Sequence, residues 1–167
     1  MVMREWIPIS TSPKGRLALA AVKEFGARPF GDVTVGELAA AADVTTGAIY
    51  HHFGSKLGLY AFVRRDVERR LIDRMEGAAE FARQHAVRAA LQVGFDFATG
   101  QGFLHLLAQP PLGAEDDLLV EMLHQLLAPR KEPVGQVLAA GWRAALLAVA
   151  GGVSVNDARD ALSALNY

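Results

Sequence analysis

The stretch V-T-T-G-A-I-Y-H-H-F-G-S-K, Val44 to Lys56, sets two hydroxyls and a glycine at the start of a short helical segment and two adjacent histidines near its end. Thr45 is placed to cap a helix running to about Phe53, which Gly54-Ser55 closes. Just upstream, T-V-G-E puts Thr34 and Glu37 at the spacing of a capping box, which predicts a helix over about 35–42. Asp43-Val44 interrupts that helix, and Asp tolerates the left-handed backbone that a tight turn between helices demands. Further back, Ser12-Pro13 opens a helix over about 13–26. Its apolar set Leu17, Ala20, Ala21, Val22 and Phe25 recurs at helical spacing before Gly26.

Two short helices joined by a tight turn and supported by a helix before them have the dimensions of a helix-turn-helix. A helix as short as the one after Thr45 is marginal alone, so Leu38, Val44, Ile49 and Phe53 must hold it from inside. The face left over carries Thr45, Thr46, Gly47, Tyr50 and His51. Hydroxyls and an imidazole can meet phosphate oxygens or base edges, and a glycine lets a backbone come close. The pattern is that of a surface that reads DNA.

Here the sequence resembles the tetracycline-repressor (TetR) family of bacterial transcription regulators. The residues that carry the resemblance run from Thr34 to Leu59, T-V-G-E-L-A-A-A-A-D-V-T-T-G-A-I-Y-H-H-F-G-S-K-L-G-L, and it extends more weakly into the first helix. The resemblance implies that Thr34, Tyr50 and Lys56 hold phosphates, that Thr45, Thr46, Gly47 and His51 face bases or the adjoining backbone, and that His52 and Phe53 face the protein. Two positions depart from the family pattern: Asp43 stands where the turn usually has glycine, and Thr46 where a basic residue is common.

The rest of the chain is helical in pattern. A long fourth helix opens at Ser55 and carries Arg64, Arg65, Asp66, Glu68, Arg69, Arg70, Asp73 and Arg74. Such mixed charges predict a mostly solvated face, with Arg64 and Glu68 paired at i, i+4 and Gly77 as the expected end. Helices are predicted near 86–99, 102–109, 115–127, 134–150 and 155–165, separated by Thr99-Gly100, the Q-P-P-L-G turn, A-P-R-K-E-P and Gly151-Gly152. No strand pattern or internal repeat is present. The expected fold is all-α: an N-terminal three-helix DNA-binding head over residues 1–54, then a helical ligand-binding and dimerisation bundle over 55–167.

Composition narrows the function. The 167 residues contain no cysteine, so neither a disulfide framework nor a thiolate metal site is available. The start M-V-M-R-E-W-I-P lacks the features of a secretory signal, and a cytoplasmic location is expected. The segment Val137 to Val155 is about long enough to span a bilayer, but Arg143 lies inside it. A central arginine costs roughly 2.5–3.5 kcal/mol on insertion scales, and Ala and Gly offset little of that, so a buried packing helix is expected and no membrane association. The net charge of −1 hides an asymmetry: residues 1–88 hold 13 Lys+Arg against 10 Asp+Glu, and residues 89–167 hold 4 against 8. Different partners for the two halves are implied.

Catalytic and metal chemistries find little support. His51 and His52 point about 100° apart on a helix and have no second ligand at i+4. Glu121-x-x-His124 has the spacing of a di-iron helix motif, but that chemistry needs the motif twice. No G-x-S-x-G turn or phosphate-cradling glycine loop occurs. No metal, cofactor or catalytic residue is expected, and an all-α enzyme or a helical scaffold whose head no longer binds DNA are the alternatives to a regulator.

In the bundle, Phe95, Phe97, Phe103, His105, Gln109, Met122, His124 and Trp142 are candidates to line a pocket for a small, largely apolar effector; they read equally as plain core. Between Val134 and Gly151 only Gln136 and Arg143 are strongly polar, which predicts a helix covered nearly all round. Gly135, Ala139, Ala140, Ala144, Ala145 and Ala148 would admit a partner helix, making the segments near 134–150 and 155–165 a homodimer interface. Two heads would then meet the half-sites of a palindromic double-stranded operator. The expected function is a sequence-specific DNA-binding regulator, a repressor released by a small molecule.

Overall fold

A computed structural model describes residues 11–112, 116–129 and 133–165. Among them are nine α-helices, two single 3₁₀ turns and no strand: α1 (Pro13–Ala27), α2 (Val35–Ala41), α3 (Thr46–Phe53), α4 (Lys56–Ala82), α5 (Ala86–Gln101), α6 (Leu104–Leu107), α7 (Leu118–Leu127), α8 (Val134–Ala150) and α9 (Val155–Ser163). None is long and apolar enough to cross a membrane. The expected start of the α7 segment at 115 lies outside the described residues, as does the N-terminal M-V-M-R-E-W-I-P. The all-α architecture read from the sequence is the one found.

Local chemistry explains the boundaries. Ser12 Oγ accepts the Gly15 amide at 3.0 Å and Pro13 begins α1. At α2 both halves of the capping box form: Thr34 Oγ1 accepts the Glu37 amide at 3.2 Å, and Glu37 Oε2 accepts the Thr34 amide at 2.7 Å. Thr45 stands at the N-cap of α3, but its hydroxyl makes no capping bond. The expected cap is one of position only, and that hydroxyl is left available. Between α3 and α4 the chain turns on Gly54, with φ of 76°. Gly58 must be glycine for a different reason, since a Cβ there would lie 2.0 Å from the Phe53 carbonyl oxygen.

Helix α4 is the axis of the molecule. It does not end at Gly77 but runs 27 residues to Ala82, about 40 Å at 1.5 Å per residue. One glycine inside a helix costs about 1 kcal/mol. Met75 and Ala79, buried on either side of it, outweigh that. Helix α5 packs along α4, while α1, α3, α6 and α7 meet its other sides. Being covered on several sides, α4 cannot keep all its charges wet. Arg64 and Glu68 are 1% and 5% exposed, contrary to the solvated face that their pattern predicts. The Arg64 guanidinium donates to the Leu106 carbonyl and lies 3.5 Å from Glu68, because a buried charge must be paired and hydrogen-bonded. Asp66, 2.6 Å from Arg70, has its carboxyl pushed up by burial against the pull of that arginine.

Further along, Arg143 of α8 forks onto Asp117 at the start of α7, with both bonds at 2.8 Å. That answers the arginine inside the apolar segment. Trp142 donates its indole N–H to the Leu91 carbonyl at 3.0 Å. The head meets the bundle directly as well, for α1 touches α6. A Cβ on Gly26 would come within 2.4 Å of the Gly102 carbonyl oxygen, and Gly102 itself needs φ of 73°.

Candidate nucleic-acid interface

Ile49 is the one fully buried side chain of α3. It anchors the helix on α1, α2 and α4 and fixes which face turns out. Thr45, Thr46, Gly47, Tyr50 and His51 are all exposed, Tyr50 by 56%. His52 and Phe53 are half-buried, and their rings and that of His51 follow one another at 4.8 and 6.3 Å. The turn before α3 puts Asp43 at φ of 52°, a left-handed conformation that Asp tolerates better than most residues. Arg16 of α1 braces it, with Nε donating to the Ala42 carbonyl at 2.9 Å and Nη2 to that of Asp43 at 3.2 Å.

The flanking polar residues are partly engaged inside the protein. Lys56 Nζ donates to the carbonyls of Phe30 and Val33 at 3.0 and 2.8 Å and sits 4.1 Å above the Phe30 ring. It therefore ties the start of α4 to the loop before α2. Thr34 is exposed, and its hydroxyl both caps α2 and donates to Glu37 Oε2 at 2.7 Å. Glu37 in turn meets Arg28 at 3.0 Å. The Thr34 hydroxyl and amide, with Arg28, hold its carboxyl down to about 2. Arg16 and Arg28 shape this surface without belonging to the outward motif. A signal existed for Arg28 in its i, i+4 spacing from Glu24, which it meets at 2.7 Å. Arg16 lies 26 residues from its carbonyl partner, and no local pattern marks it.

The residues read as an effector pocket differ in exposure. Phe95, Met122 and Trp142 are buried, Phe103 is nearly so, His105, His124 and Phe97 are half-buried, and Gln109 is exposed. Phe97 and Phe103 meet edge to face at 5.5 Å, with the Arg74 guanidinium 4.8 Å from the Phe97 ring centre. The His124 ring lies so close to Gly135 that a Cβ there would be 2.2 Å away. Gly135 thus serves contact between α7 and α8 inside one chain, and Ala139 is buried too; neither is on a face open to a partner. Within one chain α8 keeps an outer face, where Val137 is 62% exposed and Leu147 40%. Among the described residues no group of three or more His, Asp or Glu side chains could hold a metal ion.

Residues 18–62 match the model for bacterial regulatory proteins of the tetR family. Among solved structures, the chain is similar to a TetR-family transcriptional regulator from Pectobacterium atrosepticum, with 25% identity, a TM-score of 0.63, and coverage of 89% of this chain and 88% of that one. A second structure, the superantigen pfit, overlaps 97% of this chain and 93% of its own at 21% identity and a TM-score of 0.48, too distant to bear on function. A search of curated proteins found no match.

Proposed function

Because the chain belongs to the TetR family of bacterial regulatory proteins, and is a DNA-binding regulator by that membership, we propose that it acts in the cytoplasm as a homodimeric repressor that a small molecule releases from a palindromic operator. The observation that carries the DNA half of this reading is the exposed row Thr45, Thr46, Gly47, Tyr50 and His51 on a helix anchored by Ile49. Such a helix fits the major groove, with its first residues nearest the base edges. Thr45 and Thr46 offer hydroxyls there. Tyr50 and Lys56 are placed to take phosphates, and Lys56 retains a third donor beyond its two carbonyl bonds.

Dimerisation is supported by the outer face of α8. Val137, Ala140, Ala144 and Leu147 are exposed at helical spacing, forming an apolar stripe with small residues at its centre. A second copy related by a two-fold axis would cover it and set two heads on one duplex. Within this reading residues 1–54 are the DNA-binding unit and 55–167 the bundle that dimerises and senses the effector.

Selection of bound duplexes from a random pool, at two salt concentrations, tests the proposal. Enrichment of an inverted repeat whose affinity falls steeply with salt is the expected result. A pool with no enriched sequence would overturn it, and turnover of a substrate by the purified chain would favour the enzyme alternative.

A further inference from the structure

We infer that the chain holds a site for a small amphipathic organic anion, a carboxylate with an apolar chain or ring, in a cavity of about 360 Å³ at the far end of α4 from the DNA-reading helix. The volume is within the range of small-molecule sites. The cavity lies where the turn from α4 to α5 meets the C-terminal ends of α7 and α9, and its wall is divided by chemistry.

One side is basic. Arg83 and His85 of the turn and Arg88 of α5 line it, and among the described residues no Asp or Glu does. Helix α5 also begins here without a side-chain cap, His85 at its N-cap making no such bond. Its positive end adds to the field of the side chains, against the negative ends of α7 and α9 on the facing wall, so the arginines carry the attraction. On the opposite wall the Ser163 hydroxyl is answered already: Oγ receives the Gln92 amide at 3.0 Å and donates to the Arg159 carbonyl at 2.9 Å. The Ser163 carbonyl draws on the basic side through a long 3.4 Å bond from Arg88. That bond leaves most of the guanidinium's donors for a carboxylate, which accepts charge-assisted bonds at shorter range.

The other side is apolar. It is the smaller side: Leu165 beyond α9, 41% exposed, and the half-buried Leu126 of α7 present surface, over the buried Leu127. A ligand with its carboxylate at Arg83 and Arg88 would lay its chain over these leucines. An inorganic anion would leave the leucines uncovered, and an amine of the same length would meet three basic groups. The site joins the α4–α5 turn to α9, which packs on α8, so occupancy would reach the α8 face assigned to dimerisation through α9. This regulatory consequence rests on the function proposed above; the binding itself does not.

Titration of the ¹⁵N-labelled full chain with octanoate, octylamine and inorganic phosphate tests the site. Octanoate should give saturable shifts at the Val87, Arg88 and Leu165 amides, while octylamine and phosphate at equal concentration should not. Arg83→Gln and Arg88→Gln should each weaken octanoate about tenfold, the worth of one hydrogen bond to a charged group, and Leu126→Asp should do the same from the apolar side. Equal shifts with octylamine, shifts centred on Phe97 and Phe103, or unchanged affinity in both arginine variants would overturn the site. Operator affinity measured with and without octanoate separates the second claim. Saturable binding with unchanged operator affinity would uphold the site and overturn its regulatory role. A chain that binds no duplex at all would overturn the regulator and leave the titration intact.

Discussion

Replacing Lys56 with methionine keeps the side-chain stem and removes the charge. The ammonium makes two hydrogen bonds, to the Phe30 and Val33 carbonyls, and covers the Phe30 ring at 4.1 Å. Hydrogen bonds from a charged donor are worth about 1.5–3 kcal/mol each, and a cation over a ring about 0.5–1 kcal/mol. Lys56 is half-buried, so water replaces part of what is lost and the net cost should be about 2–3 kcal/mol. For a chain of this size that lowers the melting temperature by roughly 4–12 °C. If Lys56 also holds a phosphate, the dependence of log K on log salt should lose about one unit of slope. Calorimetry reads the first effect and duplex titration at several salt concentrations the second. An unchanged melting temperature would refute the claim that Lys56 fastens α4 to the loop before α2, whatever happens to DNA. An unchanged slope would refute the phosphate role.

Three other outcomes are expected. Thr46→Ala and His51→Ala should shift the preferred base at one or two positions of each half-site by about 1–3 kcal/mol, whereas Tyr50→Phe should weaken all sequences alike; identical selected sites for parent and both alanine variants would place discrimination elsewhere. Ala144→Glu puts a charge at the centre of the exposed α8 stripe and should yield a folded monomer by sedimentation with operator affinity lost, an idea that a surviving dimer would end. Glu37→Gln removes a carboxylate whose folded value is about 2 against an ordinary 4.5. Its stabilising effect is fully present above pH 4.5 and disappears as pH falls through about 2, so the gap between parent and variant in urea midpoint should be constant at neutral pH and close on acidification; a gap independent of pH would contradict that linkage.

The head was legible because its signals are local. Thr34 and Glu37 are three residues apart, Asp43 sits in the turn it allows, and Ile49 and Phe53 share a face at i, i+4. The bundle was less legible where the outcome depends on what packs around a helix. The charges of α4 read as a wet surface, yet Arg64 and Glu68 are inside because α6 and α7 cover them, and neither neighbour is visible from the α4 sequence. Gly77 reads as a stop, but its weak helix propensity is overruled by the burial of Met75 and Ala79. On α8 the small residues divide between two tasks: Gly135 and Ala139 admit α7 and the chain's own core, while Ala140 and Ala144 remain outside. The aromatic set could not be separated into pocket and core because burial of a phenylalanine leaves the same mark on a sequence in both cases.

At the junction of α1 with the turn after α5, Gly26 and Gly102 bring main chain against main chain, so close that a Cβ on Gly26 would overlap the Gly102 carbonyl. Contacts between long side chains act as soft springs, since a rotamer can change and absorb a displacement of an ångström. Backbone has no such slack. Displacement of the α5–α6 turn would therefore reach α1 directly, whereas the next step, from α1 to the Ala42–Asp43 turn, runs through the Arg16 side chain and keeps that slack. In mechanical language the head is coupled to the bundle by a hard stop, and a methyl group at residue 26 would act as a shim that resets the angle of the head.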